Sequence, residues 1–236
     1  MRGREIAALA LMVALGAWAG PSEAAFPAGG TCTGDGVRLR SGPGTKWAQV
    51  EERSLDRGDT TTVLGEVWTE DGLWYEVGLP GGDGRAWISG RYLEVQELGP
   101  IDRAIRQTIH MDLPLVPDEA RARFGAPTKE EREEIFDGDG LLEIREWPGL
   151  RLAWIVDVEG TYLQAAEVHS GAPEGISLGG IRLGDGEEDV VALLGEPGQR
   201  GEGEMSYSDD AGYPTELEFG LAGGRVARMS YVYRFD

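Results

Sequence analysis

Cysteine is nearly missing from this chain of 236 residues: Cys32 stands alone. One cysteine makes no internal disulfide, so the fold must be stable without one. Histidine is almost as scarce, with His110 and His169 only. A zinc centre needs three protein ligands and an open position. The two histidines also lack the close helical spacing of a His-Glu-x-x-His motif, so no metal site is expected. Positive charge is in short supply as well. Lys plus Arg number 22 against 42 Asp plus Glu, a net charge of −20. Such a surface repels phosphate backbones, which excludes nucleic acid as a partner, and it repels anionic lipid. It suits a soluble protein, or one that meets a basic partner. No Gly-rich loop ends in Lys-Ser or Lys-Thr, so no phosphate cradle is present. Cys32 lies in a Gly-rich lead where no general base is held beside it. No catalytic residue and no cofactor are expected.

Long hydrophobic runs are also absent. The longest, Ile6 to Gly20, is too short for a membrane span. It follows Arg2 and Arg4 and precedes small residues between Ser22 and Ala25, the pattern of a secretory signal. Residues 1–24 therefore read as a removed signal. The protein is expected to be exported, periplasmic or extracellular, with no membrane span after signal removal. The signal carries two Arg and two Glu, so the mature charge is unchanged. Lipidation of Cys32 is not expected, because Ala28-Gly29-Gly30-Thr31 precedes it, well past the apolar run.

Glycine is plentiful, at 37 residues, and reads as turn chemistry for a β-rich chain. Phe26 to Gly36 reads as a loose lead. In Val37-Arg38-Leu39-Arg40, period-two alternation sets two apolar residues against two arginines, and Ser41-Gly42-Pro43-Gly44 then reverses the chain. Short strands divided by turns follow to Val95, with no helical stretch among them, which argues for a small β-barrel. Residues 37–95 resemble the bacterial SH3 domain. The resemblance rests on Arg40 to Gly44, Leu55 to Asp59, Val63 to Glu66, Trp74 to Val77 and Ala86 to Leu93, five motifs in that family's order. Arg38 departs from it, where many members carry Asn, and so does Ala86, where Gly is usual. The resemblance implies docking to peptidoglycan or to an extended peptide.

Aromatic residues crowd this segment. Trp74 and Trp87, inside strand motifs, are core candidates. Trp47 and Tyr75 are groove candidates. Beside Arg38, Arg40 and Arg91 they would present flat apolar faces next to cationic donors, which suits a peptide or a peptidoglycan stem with its carboxylates. Ordinary barrel packing with solvated arginines is the alternative.

Residues 96–114 form a linker. Pro100 followed by Ile101, Ile105 and Ile109 predicts a short helix with proline in its first turn. Its apolar stripe is expected to pack on a neighbouring domain. Beyond it the chain is duplicated. Phe124-Gly125-Ala126-Pro127 matches Leu194-Gly195-Glu196-Pro197, each closing a short helix, and strand-like runs follow each copy. The units span 115–170 and 176–236. Each resembles the β-lactamase-inhibitory-protein fold, of which outer-membrane assembly lipoproteins of the SmpA type use a single copy. That resemblance implies a sheet face that holds a protein. Asp137-Gly138-Asp139-Gly140 and Asp209-Asp210 read as turns between strands, not calcium loops. Trp147, Trp154, Tyr162, Tyr207, Phe219, Tyr231 and Tyr233 mark one sheet face, read as core under helices.

The expected architecture is mainly β with α+β: an N-terminal SH3-like β-barrel, then two tandem helix-plus-antiparallel-sheet units. The expected function is non-catalytic, an exported cell-envelope binding protein whose duplicated domain serves as a protein-interaction scaffold. The alternatives are a secreted inhibitor or regulator of an envelope enzyme and, more weakly, a cell-wall hydrolase or its accessory.

Overall fold

A computed structural model describes residues 26–79, 84–158, 160–208 and 215–234, without the side chains of residues 51 and 52. The signal read at residues 1–24 and the pair Asp209-Asp210 lie outside the described residues. The fold is mainly β, with two antiparallel sheets and three short α-helices among the described residues.

The first sheet contains β1 (Ala28–Cys32), β2 (Val37–Arg40), β3 (Gln49–Leu55), β4 (Thr60–Thr69), β5 (Gly72–Gly78), β6 (Arg85–Ser89) and β7 (Leu93–Gln96). Their order is β3-β2-β6-β5-β4-β1-β7. The expected barrel is not closed: no pairing joins β3 to β7 among the described residues. The alternation in β2 holds, with Val37 and Leu39 buried, Arg38 exposed and Arg40 half-buried. The lead expected to be loose is instead strand β1, seated between β4 and β7 with Gly30 opposite Thr61 on one side and Val95 on the other. Its glycines answer a close approach. A Cβ on Gly30 would stand 2.9 Å from Val63 Cγ2 and 3.1 Å from a Leu93 methyl. Cys32 closes this strand, buried, with its thiol toward the carbonyls of Gly34 and Leu55. It is a small hydrophobe of the core.

The second sheet contains β8 (Lys129–Ile135), β9 (Gly140–Trp147), β10 (Leu150–Asp157), β11 (Thr161–His169), β12 (Gln199–Gly201), β13 (Glu204–Ser208), β14 (Thr215–Ala222) and β15 (Arg225–Tyr233). It is ordered β12-β13-β14-β15-β11-β10-β9-β8. Each half runs from an outer edge inward, and the two last strands pair at the centre, Ala166 opposite Tyr231. Helix α2 (Pro117–Phe124) precedes the first half and α3 (Glu187–Leu194) the second, in chain order after α1 (Pro100–Gln107). Gly125 and Gly195 end α2 and α3 with nearly equal positive φ, 82° and 85°. An aromatic on the second strand of each half donates to that glycine's carbonyl: Trp147 Nε1 to Gly125 at 3.0 Å, and the Tyr207 hydroxyl to Gly195 at 3.2 Å. Trp147, Trp154, Tyr207, Phe219 and Tyr231 are all buried in the core under the helices, as the sequence indicated. Tyr162 and Tyr233 are half-buried at its margin. The Asp-Gly run after β8 is a turn, with Phe136 and Asp137 at φ 55°.

Strand β8, Lys-Glu-Glu-Arg-Glu-Glu-Ile, carries no apolar alternation and escapes a sequence reading. It is an edge strand kept from pairing further by its own charge. Its ion pairs include Glu130 with Arg121, Arg132 with Glu143 at 3.4 Å, and Lys129 with Glu131 at 2.7 Å and Glu146 at 3.4 Å.

The linker is the predicted helix, with Pro100 at its first position. Ile105 is buried, and Ile101 and Ile109 pack against the core of the second sheet. After Gln107 the helix widens into a π-helical turn, Thr108–Asp112. The buried Thr108 hydroxyl bonds back to the Ala104 carbonyl at 2.9 Å, a contact that loosens regular helical bonding. This segment also touches the first sheet: Arg106 donates to the Thr62 hydroxyl at 2.6 Å and Arg85 to the His110 carbonyl at 2.7 Å. The His110 ring lies against Gly78, where a Cβ would come within 2.8 Å of it. Burial first, then the charges of Arg106 and Arg85, lower its pKa from 6.5 to about 4.

Two outcomes are expected. Trp154→Ala and Phe219→Ala, one in each half of a shared core, each lower stability by roughly 3–5 kcal/mol in urea unfolding. In the intact protein, stability falls as pH drops from 6.5 to about 4. Over that window the unfolded chain binds the proton that folded His110 refuses, a loss on the order of 3 kcal/mol. His110→Gln removes that part of the pH slope, read by urea unfolding at neutral pH and near pH 4.

Candidate functional site

The site grows out of the turn after β2. Gly42 lies under the Trp47 indole, where a Cβ would stand 2.4 Å from the ring. The turn closes through Ser41 N to Ala48 O at 2.9 Å and Trp47 N to Gly44 O at 3.3 Å. Arg40 Nη1 donates to the Trp47 carbonyl at 2.7 Å. Asp71, between β4 and β5, receives the amide and the hydroxyl of Thr45 at 2.8 and 2.9 Å. Those two bonds, followed by the charges of Lys46 and Arg40, hold its carboxyl below the usual carboxylate range. The aspartate is an ionised anchor for the loop.

The turn borders a cleft of about 360 Å³ whose lining includes Arg38, Arg40, Asp71, Trp74, Arg91 and Tyr92. Three of the five residues expected to bind therefore meet in one place. Arg91 reaches it from a short 3₁₀ turn, Gly90–Tyr92, which sits close on β5: a Cβ on Gly90 would stand 3.1 Å from the Leu73 carbonyl. Trp47 lies outside the lining, on the other side of the turn, and is 44% exposed. Tyr75 is not a groove residue. It pairs with Ile88, which is fully buried, and cross-strand partners share a face, so its ring packs on the first core. Burial raises its phenol pKa, and Glu66 adds to that.

Trp74, expected in the core, is buried and also lines the cleft. It pairs with Ser89, another lining residue, on the face opposite Tyr75. Trp87 is half-buried and faces outward beside Arg40, not into the core. Trp74, Tyr92 and Asp71 are thus functional candidates that sequence reasoning missed. Alternation shows that Trp74 and Tyr75 oppose each other, and only the cross-strand partners decide which one turns inward.

The electrostatics single the cleft out. Arg38 and Arg91 have no carboxylate within ion-pair distance among the described residues. Trp74 Nε1 is buried without a hydrogen-bond partner. Most buried polar atoms are paired, so an idle indole N–H beside two idle guanidinium groups describes a donor set awaiting an acceptor. Rings with free donors suit a planar anion such as a carboxylate. No three His, Cys, Asp or Glu side chains come together to hold a metal ion among the described residues.

No family model matches the chain, and no curated protein matches it. A solved structure, a cysteine-rich secretory protein of Staphylococcus aureus subsp. aureus Mu50, is similar at 8% identity and a TM-score of 0.26. The match covers 50% of this chain and 42% of that one, and at that score it carries no argument.

If Asp71 anchors the loop, Asp71→Ala frees the Thr45 amide. Hydrogen exchange at Thr45 then accelerates while exchange in β4 and β5 stays unchanged.

Proposed function

We propose that this protein is a non-catalytic, exported cell-envelope binder whose first sheet, a bacterial-SH3-like module, docks to the carboxylates of a peptidoglycan stem or an extended peptide. The observation that carries the reading is the pair Arg38 and Arg91, both without a carboxylate partner among the described residues, around a cleft lined by Trp74. In a chain of net charge −20, cations left unpaired on a cleft wall favour an acidic ligand over self-association. Tyr92, 46% exposed at the same cleft, adds an aromatic face for a peptide backbone or sugar ring. The second sheet, read as two tandem helix-plus-sheet units, would serve as the scaffold that holds a protein partner. Its matched helix ends support the duplication.

The test is co-sedimentation of the protein with purified peptidoglycan sacculi. Each charge-assisted hydrogen bond contributes about 1.5–3 kcal/mol, so Arg38→Gln and Arg91→Gln should each weaken pelleting by roughly tenfold or more. Trp47→Ala, outside the cleft, should leave it nearly unchanged. Wild-type protein that stays in the supernatant would sink the wall-binding reading and leave protein capture by the second sheet. Equal pelleting of the arginine variants would move the wall site away from the cleft.

A further inference from the structure

A second cavity lies where the two sheets meet, about 290 Å³ in volume, away from the arginine cleft. Thr60, Thr61, Thr62 and Gly78 come to it from the first sheet. Arg106, Ile109 and His110 come from the linker helix and its π-helical turn, and Tyr162, Leu163, Tyr231 and Tyr233 from the second sheet. A neighbouring space of about 500 Å³ shares Thr60, Thr61, Arg106, Ile109, His110 and Tyr233.

The chemistry of the lining is one-sided. No residue around the first cavity is acidic, in a chain with 42 Asp and Glu. Arg106 has no carboxylate within ion-pair distance among the described residues; its one recorded bond is to the Thr62 hydroxyl. His110 Nδ1 is buried without a hydrogen-bond partner. The nearby carboxylates are turned to other work or lie further out. Asp112 accepts from the Gly180 amide at 3.2 Å and from Gln107 at 3.3 Å, and Asp102 borders only the neighbouring space. The rest of the wall is tyrosine rings and aliphatic side chains. Irregular helix of the π type recurs at ligand sites, and here it is what carries the ring of His110 into the junction.

We propose that this cavity binds a small carboxylic acid with an aromatic or short aliphatic body, its carboxylate held by Arg106 and His110 and its body set among the tyrosines. A cavity of this size fits a molecule about as large as benzoate. A bound carboxylate would give Arg106 the charged partner that it lacks beside the Thr62 hydroxyl. It would also favour the charged imidazole, so ligand binding would raise the His110 pKa from its low value.

The experiment is an NMR titration of the whole protein with benzoate, using benzamide as the neutral isostere and the two histidine rings as reporters. His169, on the exposed end of β11, is the internal control. The expected result is a saturable shift of the His110 ring protons with benzoate, no movement at His169, and binding of benzamide at least about tenfold weaker. Arg106→Gln should lose benzoate binding by a similar factor, and Arg106→Lys should recover part of it. If Arg106→Gln does not fold, the benzoate-to-benzamide ratio and the lysine variant still decide the matter. An absent or non-saturating shift at His110 would overturn the proposal. So would equal binding of the amide, or full benzoate affinity in the glutamine variant.

Discussion

The pairing of β11 with β15 is the constraint on which the second half of the molecule depends. Here neither four-stranded meander buries its apolar face alone, since both contribute to one core. Two of them joined along their last strands make one continuous sheet, from β12 to β8, over one core. The joint puts Ala166 opposite Tyr231 and Val168 opposite Met229, all buried. Joining there leaves the outer edges to strands that carry charge, β8 and the three-residue β12, which is how a sheet protects itself from further pairing. Helix α1 then completes the cover. Its isoleucine stripe packs on this core, while Arg106 and His110 meet the first sheet. The same helix and its π-helical turn thus cover the second core and line the cavity at the junction between the sheets.

Charge distribution gives the molecule its functional contrast. Acidic residues outnumber basic ones, and several arginines here find a carboxylate. Arg121 has Glu130, Arg151 has Glu167, Arg200 has Glu187, and Arg234 has Glu216. Arg145 is even buried against Glu143, with its Nε 2.9 Å from the carboxylate, while donating to the Pro117 carbonyl. The pairing is far from general: Arg38, Arg91 and Arg106, and also Arg40, Arg103, Arg123, Arg182 and Arg225, have no carboxylate within ion-pair distance among the described residues. Exposed ion pairs add little stability, so the pairing elsewhere matters less than the places where it fails. The arginine cleft and the junction cavity each also border a residue with a buried, unpartnered ring nitrogen, Trp74 and His110; a third such buried atom, Arg103 Nε, belongs to a residue that lines neither.

Much of this was legible in the sequence, and the residues show why. The proline-started linker helix, the two glycine-stopped helices, the strands following each and the meeting of Arg38, Arg40 and Arg91 all rest on local rules: alternation, helix spacing and turn chemistry. The errors came where a long-range contact decides. Residues 28–32 are mostly small and look loose, yet glycine is what lets β1 fit between Val63 and Leu93. Strand β8 has no apolar period because neither of its faces is buried: every residue but Ile135 is exposed. Trp74 is buried as expected, but Tyr75, expected in the groove, packs on the first core, because alternation gives opposite faces without saying which turns toward it. That choice is made by Ile88 and Ser89 on the neighbouring strand.

The unsatisfied atoms follow the same logic at a finer scale. Nothing local in Leu73-Trp74-Tyr75 marks an indole nitrogen as idle, and nothing in Ile109-His110-Met111 marks an imidazole nitrogen so. Each atom is an orphan only in the folded chain, where neighbouring elements bury it without giving it a partner. A fold selected for stability alone would replace such a group with an apolar one of similar shape, at little cost. A buried polar atom without a partner is unfavourable, and a ligand that brought the missing partner would recover that cost. The cleft on the outer face of the first sheet and the cavity at its junction with the second each set a residue with such an atom beside arginines without a carboxylate partner, but the cleft also holds Asp35 and Asp71 and the junction cavity holds no acid, so the two would select different ligands.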